Sequence, residues 1–331
     1  MNWQIGHTHG SQASALVKSS IDFYAGLFQK TAGIGWDTVK AIALEYEPNI
    51  RTKWPDFLEE MQGIADAVGV ELSEILALNV RTEITFGMFS DGCTSLAWTT
   101  PTTTILSQNW DWMEEQKPNI VLLCIEQQGL PSIKMLTEAG LIGKIGLNSS
   151  GVGACVNAIR AKGADPTRLP MHLAMRTALN SASLEQAVST LERYGVASSC
   201  HILLADKTGA VGTEWSHVGH KSVPQKYGRI QHSNHMLLDQ PGVVDTVWLP
   251  DSLVRVRRME ELADAVTAPT VAAIQNLYKD ETGSPGAICR KQEGYSTAAT
   301  LFNIVMDLAA VEAHVIMGRP TEPEETLLLS F

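Results

Sequence analysis

The sequence predicts an α+β fold in which helices cover two β-sheets within one unit. Three observations lead to this prediction: a helical first quarter, a block of short β-rich segments from residue 94 onward, and helical segments that return before two final strands. A chain of 331 residues has the length of two ordinary domains, but it contains no repeat, low-complexity tract or disordered linker. One layered domain spanning residues 1–331 is therefore the simplest arrangement.

The first quarter, residues 1–89, is predicted to be mostly helical. Gly69 is a typical residue to end one helix, and a further helix follows from Ile75. The apolar residues at helical spacing before Gly69 are Phe57, Met61, Ile64, Ala65 and Val68.

The region after residue 93 contains short runs rich in Thr, Val, Ile and Trp, separated by Pro, Gly and Asn, which is typical of strands joined by hairpins. The first five predicted strands are 94–100, 104–112, 119–127, 132–137 and 152–159. Two helices follow, one from Pro170 and one from Ser183 with Gly195 at its end. The remaining predictions are strands 200–205 and 210–216, helices 251–266 and 270–279, and strands 299–308 and 313–317.

The charge balance disfavours nucleic acid as a partner. The chain carries 25 Lys+Arg against 36 Asp+Glu, and its longest basic run is Arg257-Arg258. No apolar stretch approaches the roughly 18 residues that span a membrane, and residues 1–10 lack a secretory pattern. The five cysteines form no C-x-x-C pair, so neither a disulfide framework nor a metal site is indicated, and a cytoplasmic protein with reduced thiols is expected.

The boundary between the helical and β regions lies at residues 89–95. Asp91-Gly92 is a common turn dipeptide, and a cysteine that begins a strand is usually buried and inert. The chemical alternative is that Gly92 permits a strained peptide bond, so that the Cys93 thiol attacks the preceding carbonyl. Hydrolysis would then free an α-amino group on Cys93, with a pKa of roughly 7.7–8.0, to act as base for its own thiol. The nine histidines single out no partner for a Cys-His pair.

Short strings along nearly the whole chain resemble, in order, the acyl-CoA:aminopenicillanate acyltransferases (isopenicillin N acyltransferases) of peptidase family C45. Each string alone is weak, but their joint order is specific. They include Arg81-Thr82-Glu83-Ile84, Asp91-Gly92-Cys93-Thr94, Gln108-Asn109-Trp110-Asp111, Gly146-Leu147-Asn148, His232-Ser233-Asn234-His235 and Gly318-Arg319-Pro320-Thr321.

The resemblance implies an N-terminal nucleophile hydrolase fold, a four-layer αββα sandwich made as a self-cleaving precursor. It implies cleavage between Gly92 and Cys93, which would leave an associated pair of subunits, residues 1–92 and 93–331. Cys93 would be the nucleophile. No cofactor is implied beyond acyl-CoA as a substrate.

Further site residues follow from the resemblance. Asp111 matches an aspartate near the substrate's polar groups and the cysteine amine, and Asn234 matches an asparagine whose amide helps to form the oxyanion hole. A surface aspartate and a strand-end amide are the ordinary alternatives. Ser296 matches a serine of the substrate site, but Thr297 stands where the family has an arginine, which weakens carboxylate binding unless another cation such as Arg290 compensates.

Two other features are weaker. Asn148 is explained comparably well by turn chemistry. The Gly140-x-x-Gly143-x-x-Gly146 series resembles a phosphate-binding loop but has no following Lys-Ser/Thr, so glycines in tight hairpins are favoured.

The resemblance implies an acyltransferase whose partners are a small acyl donor, an amine acceptor and its own cleaved subunit, with a role in penicillin biosynthesis or a related pathway. An amidase acting on N-acyl amides or small peptides and a non-catalytic relative remain alternatives. The last residues, Leu327-Leu328-Leu329-Ser330-Phe331, lack the peroxisomal tripeptide of the penicillin-forming members, which favours the cytosol.

Overall fold

The computed structural model describes residues 1–85, 92–247 and 249–331. Seven helices come before the first strand: α1 (Asn2–Gln12), α2 (Ser14–Ala32), α3 (Trp36–Leu44), α4 (Glu47–Lys53), α5 (Pro55–Val68), α6 (Leu72–Asn79) and α7 (Arg81–Thr85). The four later α-helices are α8 (Met171–Leu179), α9 (Leu184–Tyr194), α10 (Asp251–Asp264) and α11 (Val271–Leu277), and a 3-10 helix covers Glu114–Asn119. No helix of the described ranges is long and apolar enough to cross a membrane.

The strands form two antiparallel sheets. They are β1 (Gly92–Thr99), β2 (Thr104–Trp112), β3 (Ile120–Ile125), β4 (Ile133–Glu138), β5 (Ile145–Asn148), β6 (Gly153–Ala158), β7 (Cys200–Asp206), β8 (Gly209–Ser216), β9 (Gly219–Val223), β10 (Arg229–His232), β11 (Ala299–Asp307), β12 (Glu312–Arg319) and β13 (Glu322–Ser330). One sheet has the order β10-β1-β2-β11-β12-β13 and the other runs from β3 to β9 in sequence order.

The two sheets pack face to face, with β1 and β2 of one sheet against β6 of the other. Helix α8 packs on the seven-stranded sheet, and α10 and α11 pack on the six-stranded sheet. A side-chain amide links the sheets directly: Gln108 Nε2 donates to Val156 O at 2.7 Å, and Val156 N donates to Gln108 Oε1 at 3.1 Å. The predicted α+β, four-layer αββα fold is confirmed.

The helical first quarter and the nine predicted strands are present, each within a few residues of the predicted bounds. Four strands were not predicted: β5, β9, β10 and β13. Three of these lie at sheet edges, where one side is unpaired and polar or charged residues are favoured, so the β pattern is weak. The acidic start of β13 is an example.

Gly92 is the first residue of β1, so the turn that Asp91-Gly92 suggested as one alternative does not extend to Gly92. Asp91 and the last helical residues predicted before it fall within residues 86–91 and lie outside the described residues. The paired strands β1 and β2 therefore position Gly92 and Cys93, with which the candidate site begins.

Candidate active site

Gly92 and Cys93 begin β1 and pair with Asp111 and Trp110 of β2. A Cβ atom at Gly92 would lie 2.8 Å from Arg290 Nε and 2.8 Å from Asp111 Oδ2, a distance that real Cβ contacts do not reach. Any residue larger than glycine would require these two buried side chains to shift. Cys93 itself is 1% exposed, so its thiol is enclosed in the uncut chain.

The Asn234 side chain lies against the backbone of Cys93. Its Oδ1 accepts a hydrogen bond from Cys93 N at 2.9 Å, and its Nδ2 donates to Ala158 O at 3.1 Å. The Asn234 backbone N donates to Ser252 Oγ at 2.7 Å. The resemblance implies that the Asn234 amide helps to form the oxyanion hole. The structure brings Asn234 to Cys93, with the carboxamide oxygen facing the Cys93 N–H and the Nδ2 donor bonded to Ala158 O.

Arg255 is a buried residue of this site that the sequence analysis missed. From α10 its Nη1 donates to Cys93 O at 2.6 Å and to Thr94 Oγ1 at 3.0 Å, and its Nη2 donates to Asn234 Oδ1 at 2.8 Å. Its Nε pairs with Asp251 Oδ2 at 2.8 Å. Burial and the nearby Arg290 lower the pKa of Arg255, whereas Asp251 and Asp111 oppose that change. One guanidinium therefore fixes the Cys93 carbonyl and the Asn234 carboxamide together.

The only sequence signal for Arg255 is its helical spacing from Asp251, four residues earlier, which is typical of an ion pair on any helix.

Asp111 is fully buried beside Gly92. Its Oδ1 accepts a hydrogen bond from Thr300 Oγ1 at 2.7 Å, and its Oδ2 lies 3.5 Å from Arg290 Nε. Burial raises the pKa of Asp111 to about 7, against the opposing effects of Arg290, Arg255 and Thr300. A carboxyl group that titrates near neutrality is well suited to orient or exchange a proton with an amine at residue 93.

A cavity of about 300 Å³ adjoins this site. Gly92 lines it together with Asp251, Arg290, Ser296 and Thr297. Two of the three residues predicted for substrate binding, Ser296 and Thr297, therefore line one cavity next to the predicted cleavage site, whereas Asp111 is not part of its lining.

Arg290 lines this cavity, but its guanidinium already has hydrogen-bond partners within the protein. Its Nη2 pairs with Asp251, and its Nη1 donates to Ser296 Oγ at 3.0 Å. Ser296 Oγ in turn donates to Ala298 O at 2.9 Å. An incoming carboxylate would have to compete with Asp251 for Arg290, so compensation for the arginine missing at position 297 is partial at most.

Other candidates lie apart from this site. Asn148 Oδ1 accepts from the N–H groups of Ser150 and Val152, and its Nδ2 donates to Leu179 O and Ser181 O, which is turn chemistry. A larger cavity of about 620 Å³ lies between α1 and β3, and none of the predicted site residues lines it. Within the described ranges, no cluster of three or more His, Cys, Asp or Glu residues is placed to hold a metal.

The sandwich of two antiparallel sheets, with an enclosed cysteine at the start of an interior strand, defines an N-terminal nucleophile hydrolase fold. A solved structure with a similar fold is the N-acylethanolamine-hydrolyzing acid amidase ortholog of Caenorhabditis elegans. It is 16% identical and has a TM-score of 0.50, covering 72% of this chain and 100% of that one.

The sequence comparison is more specific than the fold. The profile described as acyl-coenzyme A:6-aminopenicillanic acid acyl-transferase matches residues 98–322. A relative from Emericella nidulans, acyl-coenzyme A:6-aminopenicillanic-acid-acyltransferase 40 kDa form, is 40% identical over 334 aligned residues, which cover 99% of this chain and 93% of the relative. The chain belongs to this acyl-transferase family, which confirms the resemblance seen in its short strings.

Proposed function

We propose that this protein is a self-processing N-terminal cysteine acyltransferase. It takes an acyl group from acyl-CoA, or from a penicillin-like amide, and passes it to the amine of an aminopenicillanate-like acceptor. The observation that carries the proposal is the meeting of Cys93, Asn234 and Asp111 at one end of the β1–β2 pair in a chain of this family.

The first step is self-cleavage. The Cys93 thiol adds to the Gly92 carbonyl carbon, the Gly92–Cys93 C–N bond breaks, and the amide nitrogen takes the thiol proton to become a free amine. Water then hydrolyses the resulting thioester, which leaves a carboxylate on Gly92 and a thiol on Cys93. Arg255 on the Cys93 carbonyl and Asn234 on the Cys93 N–H hold the backbone of the attacking residue during this step.

Acyl transfer then uses the amine that cleavage frees. The α-amino group of Cys93 accepts the thiol proton, the thiolate attacks the acyl carbonyl of acyl-CoA, and CoA leaves with that proton. The acceptor amine next attacks the acyl-thioester, an amide forms, and the Cys93 thiol is restored. Water in place of the amine gives a free acid, which is the amidohydrolase reaction.

Cleavage is tested by electrophoresis of purified wild type and Cys93→Ala. We expect two wild-type fragments, residues 1–92 and 93–331, and one intact chain in the variant, because alanine has no nucleophile. Cys200→Ala is the matched control, since Cys200 is likewise a buried cysteine but lies on β7. A single intact wild-type band would refute self-processing and favour the non-catalytic alternative.

Transfer is tested by incubating processed enzyme with phenylacetyl-CoA and aminopenicillanate and measuring products by mass spectrometry. We expect the phenylacetyl amide of the acceptor. The pairing of Arg290 with Asp251 and the threonine at position 297 favour the amidase as the second candidate. Free phenylacetic acid without the amide product would support that alternative.

Thr297→Arg should improve use of the carboxylated acceptor. Thr297 is exposed on the cavity wall, so an arginine there would place an unpaired guanidinium near the acceptor carboxylate. A charge-assisted hydrogen bond of about 1.5–3 kcal/mol corresponds to a fall in the acceptor KM of roughly tenfold or more. Initial-rate kinetics at fixed acyl-CoA measure this change, and an unaltered KM would contradict our account of position 297.

A further inference from the structure

A buried histidine–glutamate pair lies between the two sheets, next to the segment that carries Asn234. Glu214 is on β8 of the seven-stranded sheet, and His232 is on β10 of the six-stranded sheet. Their side chains are 0% exposed, and His232 Nε2 lies 2.8 Å from Glu214 Oε1. Burying such a pair destabilises the fold unless its remaining polar atoms form hydrogen bonds. The hydrogen-bond partners of His232 and Glu214 therefore indicate which part of the chain the pair supports.

The contacts of the pair favour an ionised form. His232 Nδ1 lies 2.9 Å from Ser233 O, and because a carbonyl only accepts, Nδ1 carries a hydrogen. Glu214 also accepts from Leu237 N at 2.5 Å and from Leu238 N at 3.1 Å. Two backbone N–H donors on this carboxyl group favour the carboxylate. A carboxylate only accepts, so His232 Nε2 donates to it and both ring nitrogens carry hydrogen.

Two further imidazoles, His201 and His235, lie close to His232. The His201 ring stacks on it with centroids 3.8 Å apart. Burial and the charge of His232 lower the pKa of His201 well below its ordinary value, and lower that of His235 to about 4. Both neighbours are therefore neutral near pH 7.

Glu214 ties together the two ends of one short segment, residues 232–238. At one end it holds the His232 ring, and at the other it holds the Leu237 and Leu238 amides. Asn234 lies between these ends, with its Oδ1 on the Cys93 N–H. A fixed carboxylate on β8 thus sets the path of the backbone that presents Asn234.

We propose that Glu214 is a positioning residue which, with His232, holds residues 232–238 so that the Asn234 carboxamide stays against Cys93. This inference rests on the proposed function of Cys93. It adds a positioning residue, Glu214, that does not line the substrate cavity. Glu214 acts through Asn234 and touches neither the scissile bond nor the substrate.

The test is Glu214→Gln, which keeps the size of the side chain and one acceptor oxygen but removes the charge. We expect the rate of self-cleavage and the kcat of processed enzyme to fall roughly tenfold to a hundredfold, because small displacements of a positioned group have effects of that size. The KM for phenylacetyl-CoA should stay within about twofold, since Asn234 faces the nucleophile. His232→Gln, which keeps a donor toward Glu214 without the charge, should behave in the same way.

Glu60→Gln is the matched control. Like Glu214, Glu60 is buried and paired with a basic side chain, with its Oε1 2.9 Å from Arg176 Nη1. It lies on α5, away from residues 232–238. We expect Glu60→Gln to lower the melting temperature yet to cleave at the wild-type rate.

If Glu60→Gln and Glu214→Gln slow self-cleavage equally, the cause is general destabilisation and the proposal is overturned. A folded Glu214→Gln variant with wild-type cleavage and wild-type kcat would also overturn it. If Glu214→Gln does not fold, wild-type rates in His232→Gln would overturn it instead. An uncut wild type would refute the proposed function of Cys93 itself, which separates the two failures.

Discussion

Arg255→Met is expected to abolish self-cleavage and to lower the free energy of unfolding by about 3–5 kcal/mol, the usual effect of removing one partner of a buried ion pair. Methionine replaces the aliphatic stem but leaves Asp251, the Cys93 carbonyl and Asn234 Oδ1 without the donors that Arg255 provides. Denaturant unfolding measures the stability change, and electrophoresis over time measures cleavage.

The matched control for this prediction is Arg258→Met, three residues further along α10. Arg258 is partly exposed and pairs with Asp280 and Glu261 at the surface. Surface pairs contribute at most about 1 kcal/mol, so this variant should cleave normally. Normal cleavage in Arg255→Met would show that its contacts to Cys93 and Asn234 are not needed for the reaction.

The order of helices and strands follows from local periodicity, so most of the fold was predictable. Strands such as β2 and β7 are buried along their length and carry β-forming residues such as Ile105, Trp110 and Ile202. The edge strand β9 does not, because GHKSV is mostly polar and its β structure depends on pairing with β8. Tertiary pairing, rather than residue type, decides such segments.

A residue of the candidate site was predictable only when its type is suited to catalysis and it lies in a short sequence motif typical of the family. Cys93, Asp111 and Asn234 are of this kind, and the structure brings them together. Arg255 and Glu214 are not, because a helical arginine beside an aspartate and a glutamate within a strand are ordinary locally. Their roles come from contacts with residues far away in the chain, 162 positions in the case of Arg255 and Cys93.

A second buried charge cluster joins the regions before and after the predicted cleavage site. Glu138 accepts hydrogen bonds from Arg81 Nη2 at 2.6 Å, from Lys144 Nζ at 2.5 Å and from the Tyr24 hydroxyl. Burial alone would raise the pKa of Glu138, but Arg81 and Lys144, with these hydrogen bonds, lower it to about 2. Tyr24 and Arg81 precede residue 92, and Glu138 and Lys144 follow it. The cluster would therefore hold the two cleaved subunits together without a covalent link.

Glu138→Gln should lower the free energy of unfolding at pH 7 by about 3–5 kcal/mol, because two buried cations lose their anion. Since the pKa of Glu138 is depressed, its stabilising effect is complete above the ordinary value of 4.5 and is lost as the pH falls toward 2. The stability difference from wild type should therefore be largest near pH 7 and narrow below about pH 4. Denaturant unfolding across this range measures it, with Glu324→Gln as the control because Glu324 pairs with Lys117 at the surface. A difference that stays constant down to pH 2 would show that the Glu138 charge does not stabilise the junction between the two regions.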